Sequence, residues 1–458
     1  MLFERIASPG LAHYSYLAGD RHEAVVIDPR RDAEIYVERA AGRGYRLTHA
    51  LETHRHEDFL VGSLELEART GCQVWHAERE LAYAYGQPAS DRQTWPVGRL
   101  RLQALHTPGH TPGHLSYLLH DPEGQVWLVF TGDALFAGDV GRVDLFGAER
   151  MEELAGLLYE SLQERILPLG DGVIVCPAHG AGSVCGAAIA ERPWTTVGLE
   201  RRLNPRLLQP DRAAFVANVA QALELPPYFR RVEELNVAGP PVLGCLPAPA
   251  PLPPADFARA AEQGTVVDTR SIHAFAAAHV PGALSIWLDG VPRFAGWFLP
   301  YDRPLLLVCD GDPTAAVRHL VRLGYDRPAG YLAGGMLDWH KAGRQSDAIK
   351  TITVQGLCRR LDAGADTWII DVRSHQELAS EGRLPGAHHV HITQLGQHLA
   401  EVPRGRPVFI FCGSGLRSMI GASLLQREGW PDLTVVLGGF AGWVSRAYPI
   451  ERGSPLSL

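Results

Sequence analysis

Thr53-His54-Arg55-His56-Glu57-Asp58 is the stretch from which the first half of the chain is read. It follows a short apolar segment, 47–51, with the character of a strand. On an extended backbone alternate side chains share a side, so His54 and His56 leave the strand end together. Three further loops of similar design lie downstream. Thr107-Pro-Gly-His110-Thr-Pro-Gly-His114 is a turn-rich loop that fixes His110. Phe130-Thr-Gly-Asp133 is the end of a strand expected over 126–131, running through a glycine turn into a carboxylate. Cys176-Pro-Ala-His179-Gly repeats that design with an imidazole. Imidazoles and a carboxylate at strand ends are the donors a first-row transition metal takes. A lone histidine is usually a satisfied core or surface residue, but four such loops together point to a metal. His106, His114 and His120 read as loop or surface histidines. Paired strands at 13–18 and 24–28 and a helix at 32–43 make the block mixed α/β.

These loops resemble the THxHxDH, TPGHT, TGD and PAHG motifs of the metallo-β-lactamase superfamily. The resemblance covers the first block, residues 1–245, and implies an αββα sandwich with a metal at one edge. The family pattern has a further His after the Asp; here that position is Phe59, which cannot ligate. Resemblance to the persulfide dioxygenase branch implies one Fe(II) per chain, held by His54, His110 and Asp133 with open positions for substrate. It also implies that His56, Asp58 and His179 orient those ligands or metal-bound water. Gly141-Arg142-Val-Asp144 and Asn204-Pro-Arg206-Leu are similar to that branch too, where basic residues near these motifs help hold a glutathione moiety. Arg142 and Arg206 are the corresponding candidates for substrate binding, with structural ion pairs as the other reading. The alternative is a thioester hydrolase of glyoxalase II type with a binuclear Zn or Fe centre. Asp58 and His179 keep that reading open, and Phe59 opposes it.

A Pro- and Ala-rich stretch, 239–254, reads as a semi-rigid linker. Beyond it the chain repeats itself. Asp268-Thr-Arg270 matches Asp371-Val-Arg373, and Pro281-Gly-Ala283 matches Pro385-Gly-Ala387. Leu307-Val-Cys309 matches Ile410-Phe-Cys412, and Gly334-Gly-Met-Leu-Asp-Trp339 matches Gly438-Gly-Phe-Ala-Gly-Trp443. Two copies of one α/β domain are expected, at 253–346 and 350–458. In the second copy Cys412-Gly-Ser-Gly-Leu-Arg417 follows a buried strand and opens a helix. A thiolate there faces the positive end of the helix dipole. Gly413 and Gly415 let backbone N–H groups curl around the sulfur, and Arg417 would hold an anionic donor or acceptor such as thiosulfate or sulfite. This copy resembles a rhodanese domain, a family that moves sulfane sulfur through a cysteine persulfide, which implies a catalytic Cys412. Four residues between Cys412 and Arg417 make a loop one residue shorter than that of Cys-dependent phosphatases, and suit sulfur better than phosphate. The first copy reads Cys309-Asp-Gly-Asp-Pro-Thr-Ala, with carboxylates in place of the Arg, and is expected to be degenerate. Cys72, Cys176, Cys185, Cys245 and Cys358 read as unreactive.

The order of domains resembles bacterial persulfide dioxygenase–sulfurtransferase fusions. That implies a low-molecular-weight persulfide and dioxygen as substrates of the first block, with sulfite and thiosulfate shared with the second. A sulfur carrier or redox sensor built on Cys412 is a third reading, disfavoured by the intact metal loops. Composition sets the remaining expectations. A net charge of −8 offers no general basic surface for nucleic acid. No long apolar run suggests a membrane span, and no basic and apolar leader suggests export. Seven scattered cysteines are not a disulfide framework, so a reducing, cytoplasmic setting is expected. The sequence leaves room for a homo-oligomer.

Overall fold

The structure is a computed structural model; it describes residues 1–78, 81–186 and 188–452. The last six residues of the block expected at 350–458 lie outside the described residues. The chain divides into two compact units. One is Met1–Leu246 with Arg318–Asp326, and the other is Pro247–Val317 with Arg327–Leu458.

The first unit is built on two six-stranded sheets. Leu2–Ser8, His13–Asp20, Glu23–Ile27, Arg46–Leu51, Gln73–His76 and Gln87–Pro88 lie side by side in chain order. The second sheet runs Thr195–Thr196, Ile174–Pro177, Val126–Gly132, Leu115–His120, Leu100–His106 and Thr94–Val97. Tyr16, Val25, Ile27 and Leu51 of the first sheet pack against Leu102, Tyr117, Leu119 and Phe130 of the second. Strand alternation then sends Leu17, Val26 and Ala50 to the opposite face, where Tyr36 and Leu66 of the helices Glu34–Ala41 and Ser63–Thr70 cover them. On the other outer face, Val129 and Val175 meet Leu154 and Leu158 of the helix Met151–Glu160. Each such aliphatic side chain, fully buried, contributes about 1.5–3 kcal/mol. The result is the αββα sandwich implied by the resemblance. Four strands, Arg46–Leu51, Leu100–His106, Val126–Gly132 and Ile174–Pro177, run directly into the loops that carry the conspicuous His and Asp residues.

The second unit holds two five-stranded parallel sheets of identical topology. One is ordered Pro251–Leu252, Gly330–Leu332, Leu305–Val308, Thr265–Asp268 and Leu284–Ser285. The other is ordered Lys350–Thr353, Leu433–Leu437, Val408–Phe411, Trp368–Asp371 and His388–His389. Cys309 and Cys412 each follow the central strand. The repeat in sequence is thus a repeat in structure. The helix Leu416–Arg427 begins behind Gly415, which adopts a left-handed φ of 114°. Within this unit, Gln426 Oε1 lies 2.9 Å from His279 Nε2, and Ser423 Oγ accepts the Ser285 N–H at 3.1 Å.

No helix among the described residues is long and apolar enough to cross a membrane.

Candidate functional site

Asp133 sits at the centre of the first cluster, fully buried. Its Oδ2 lies 3.5 Å from His110 Nε2 and 3.8 Å from His54 Nε2. Each ring is tied at Nδ1, which aims its Nε2 at Asp133. Thr53 Oγ1 donates to Asp28 Oδ2 at 2.9 Å, so it accepts from His54 Nδ1 at 2.8 Å. His110 Nδ1 donates to the Arg142 carbonyl oxygen at 2.8 Å. A hydrogen bond at one ring nitrogen fixes the tautomer and leaves the other free to ligate. His54 Nε2, His110 Nε2 and Asp133 Oδ2 are all buried without a hydrogen-bond partner. A buried polar atom left unpaired costs about 1–3 kcal/mol. Metal–donor bonds of about 2.0–2.2 Å place neighbouring donors roughly 3–4 Å apart, so these residues fit one first-row cation. Although burial alone would lower it, Glu57 and Asp133 draw His110 up to about 9, so without a metal these carboxylates hold on the ring a proton that a bound cation would displace.

The other Asp133 oxygen faces away. Oδ1 accepts from His179 Nδ1 at 2.8 Å, and His179 Nε2 donates to Asp58 Oδ2 at 3.0 Å. Burial opposes the charge on His179, but Asp133, Cys185 and Asp58 hold its pKa well above the ordinary value. His179 is therefore a strut between two carboxylates. His56 Nε2 lies 3.1 Å from Asp28 Oδ1. Phe59 is fully buried, its ring 4.0 Å from His13 and 4.5 Å from His56. An apolar ring thus fills the position where the family pattern places another imidazole.

Several neighbours were not anticipated from the residues. His114 is buried rather than a surface histidine: its Nε2 accepts the Asp133 N–H at 3.1 Å, and burial pulls it down to about 3. Gly132 is required beside it, because a Cβ there would stand 2.5 Å from both His114 Nε2 and Thr53 Oγ1. His120 is also mostly buried. Glu57 comes within 3.5 Å of His110 Nε2. Cys185, read as an unreactive thiol, lies against the cluster and donates to Glu57 Oε1 at 3.5 Å. Arg142 and Arg206 spend their guanidinium groups on ion pairs. Arg142 is doubly bonded to Asp144 at 2.7 and 2.8 Å, and Arg206 Nε meets Asp139 at 2.9 Å. Arg142 still serves the site, through its backbone carbonyl on His110.

In the second unit, Cys412 is fully buried and its Sγ accepts the Gly415 N–H at 3.1 Å. Gly413 lies under the Arg417 guanidinium, where a Cβ would be 3.1 Å from Nη2. Arg417 itself is held by Glu377, at 2.6 Å from Nη1 and 2.5 Å from Nη2. Burial would raise Glu377, but bonds from Arg417 and the Ser374 N–H pull it to about 2. Cys309 of the first copy is different. Burial pushes its thiol up to about 11, and Asp268, Asp310 and Asp312 act in the same direction. A cavity of about 530 Å³ beside it is lined by Trp287, Asp310 and Asp312 among others.

Comparison with known proteins agrees with this division. The metallo-β-lactamase superfamily matches residues 8–179, and the rhodanese-like domain family matches 253–342 and 353–446. The chain is 34% identical to the mitochondrial persulfide dioxygenase of Bos taurus over 215 residues, 45% of this chain and 76% of the relative. It is 30% identical to the hydroxyacylglutathione hydrolase GloC of Haemophilus influenzae over 214 residues, 42% of this chain and 91% of the relative. The crystal structure of a metallo-β-lactamase from Staphylococcus aureus superposes with a TM-score of 0.65 at 29% identity, covering 73% of this chain and 99% of that one. With the donor loops at one edge of an αββα sandwich and one sheet order present twice in the second unit, the chain belongs to the metallo-β-lactamase superfamily and carries two rhodanese-like domains in tandem.

Proposed function

We propose that this protein is a bifunctional enzyme of sulfur metabolism: an Fe(II) dioxygenase of small-molecule persulfides, fused to a sulfurtransferase acting through Cys412. The first reaction is RSSH + O₂ + H₂O → RSH + SO₃²⁻ + 2 H⁺, with glutathione persulfide or a similar thiol carrier as substrate. The observation that carries it is the set of unpartnered buried donors, His54 Nε2, His110 Nε2 and Asp133 Oδ2, with the carboxylate oxygen 3.8 and 3.5 Å from the two imidazole nitrogens. Two imidazoles and a carboxylate with open positions are the signature of non-haem Fe(II) oxygenases. Fe(II), when bound there, supplies the redox chemistry that joins dioxygen to the terminal sulfur. The protein's part is placement and charge. Thr53 and the Arg142 carbonyl aim the two imidazoles, and the His179–Asp58 pair holds Asp133 with one oxygen turned to the metal.

At the second site the Cys412 thiolate attacks a sulfane sulfur and releases the carrier thiol. The resulting persulfide gives its outer sulfur to sulfite, which leaves as thiosulfate and restores the thiolate; each step runs in either direction. The Gly415 N–H on Sγ stabilises the anionic forms. The two reactions are coupled by chemistry, because sulfite made in the first is the acceptor in the second.

Similarity to GloC favours one other reading, thioester hydrolysis at two metals. Phe59, in place of an imidazole, counts against it, while Asp58, His179 and Cys185 are the donors that such a second metal would use. Oxygen uptake by metal-quantified protein given glutathione persulfide tests the proposal. Uptake matched by sulfite, at a metal ratio near one and lost in His110→Ala, supports it. Two metals per chain with thioesterase activity and no uptake would replace it with the hydrolase.

A further inference from the structure

Glu57 lies between two residues of the metal motif, yet its carboxylate is fully buried and its single ion-pair partner among the described residues is His110. Burying a carboxylate is costly unless a cation accompanies it. His110 cannot serve as that cation and also offer its Nε2 lone pair to a metal. The Glu57 Oε2 atom has no hydrogen-bond partner, like the donor atoms of His54, His110 and Asp133. Carboxylate and imidazole donors of His54, Glu57 and His110 all fall within 4.8 Å of one another, and one Glu57 oxygen is equally close to Asp133. Among the described residues the other hydrogen-bond contact of Glu57 is the Cys185 thiol, a weak donor.

We propose that Glu57 is a fourth protein ligand, so that the centre is a two-histidine, two-carboxylate site with Cys185 steadying the second carboxylate. This rests on the single-metal reading above and deepens it. Two carboxylates neutralise a divalent cation. Four protein donors leave an octahedral cation two exchangeable positions instead of the three left by a facial triad.

The test uses full-length protein stripped of metal, with Mn(II) as probe. Affinity is measured by competition with a chromogenic chelator, and bound water is counted by EPR line broadening in ¹⁷O-enriched water. Wild type, Glu57→Ala and Glu57→Gln are compared. The expected result is one Mn(II) with two exchangeable waters in wild type, and affinity at least about tenfold lower in both variants. Glu57→Ala gains a third water. Without metal, the circular dichroism of either variant matches that of wild type, so a lower affinity and a changed water count report ligation and not a folding defect. Affinities within twofold and an unchanged water count, in variants that fold, would overturn the proposal. Failure of wild type to take up one equivalent would overturn the single-metal reading as well, so the two failures are distinguishable.

Discussion

Glu377→Gln should raise the apparent affinity of the Cys412 site for thiosulfate. In the structure Arg417, the cation expected to receive the anion, is already held by both oxygens of Glu377. A dianion must displace that carboxylate. The fall of Glu377 from 4.5 to about 2 would correspond to about 3 kcal/mol at face value. Its side chain is 28% exposed, however, and the Ser374 N–H supplies part of the effect, so about 1–2 kcal/mol belongs to Arg417 after solvent screening. Removing the charge should therefore lower KM for thiosulfate roughly 5- to 30-fold, with kcat little changed. Gln is the informative replacement. Glu377 is also the N3 residue of a capping box with Ser374 at the start of the helix His375–Glu381, and Gln fills that role. Acid cannot be used instead. A carboxyl depressed to about 2 contributes stability above its ordinary range near 4.5 and loses it only as pH falls from there through about 2. The pair is thus intact at any working pH. The assay is steady-state thiosulfate:cyanide transfer at neutral pH, alongside Arg417→Ala as the control that loses anion binding. An unchanged or raised KM in a folded Glu377→Gln variant would refute the idea that the carboxylate competes with substrate.

Cys412→Ser should abolish sulfur transfer while persulfide-dependent oxygen uptake continues, and Cys309→Ser should leave both intact, because burial and nearby carboxylates keep Cys309 protonated up to about 11. Mass spectrometry for a persulfide adduct on each cysteine checks this. Asp58→Asn should weaken metal binding about 10- to 100-fold by loosening His179 and, through it, Asp133, as read by chelator competition. Gly141→Ala should empty the metal site: a Cβ would stand 2.0 Å from the Asp133 carbonyl oxygen and 3.1 Å from His110 Cβ. Overpacking of this kind costs about 1–3 kcal/mol, visible as a lower melting temperature together with a metal ratio well below wild type.

Residue type and order made the outline of the first site legible. His54, His110 and Asp133 could be read as candidate donors because a metal accepts few kinds of donor and strand termini can bring several of them together. Glu57 was not legible, because period-two alternation sends it away from His54 and His56; but the strand ends at Leu51, and the loop beyond it obeys no such period. Glu377 was hidden for another reason: nothing local links it to Arg417, and only the packing of its helix brings the two together. Arg142 is the opposite case. Its letter allowed a substrate role or an ion pair, and a partner for the ion pair was visible two residues on. Arg142 grips Asp144, just as Arg270 grips Asp268 and Arg373 grips Asp371, each with at least two bonds of 3.1 Å or less. An arginine that close in sequence to a buried carboxylate is bound before any ligand arrives, since the pair forms with almost no loop to close. Arg417 has no acidic residue within that reach, so its partner had to come from elsewhere in the fold. A contact assembled by packing is easier to exchange for substrate than one fixed by adjacency, and for that reason we expect Arg417, rather than Arg142, to receive an anion.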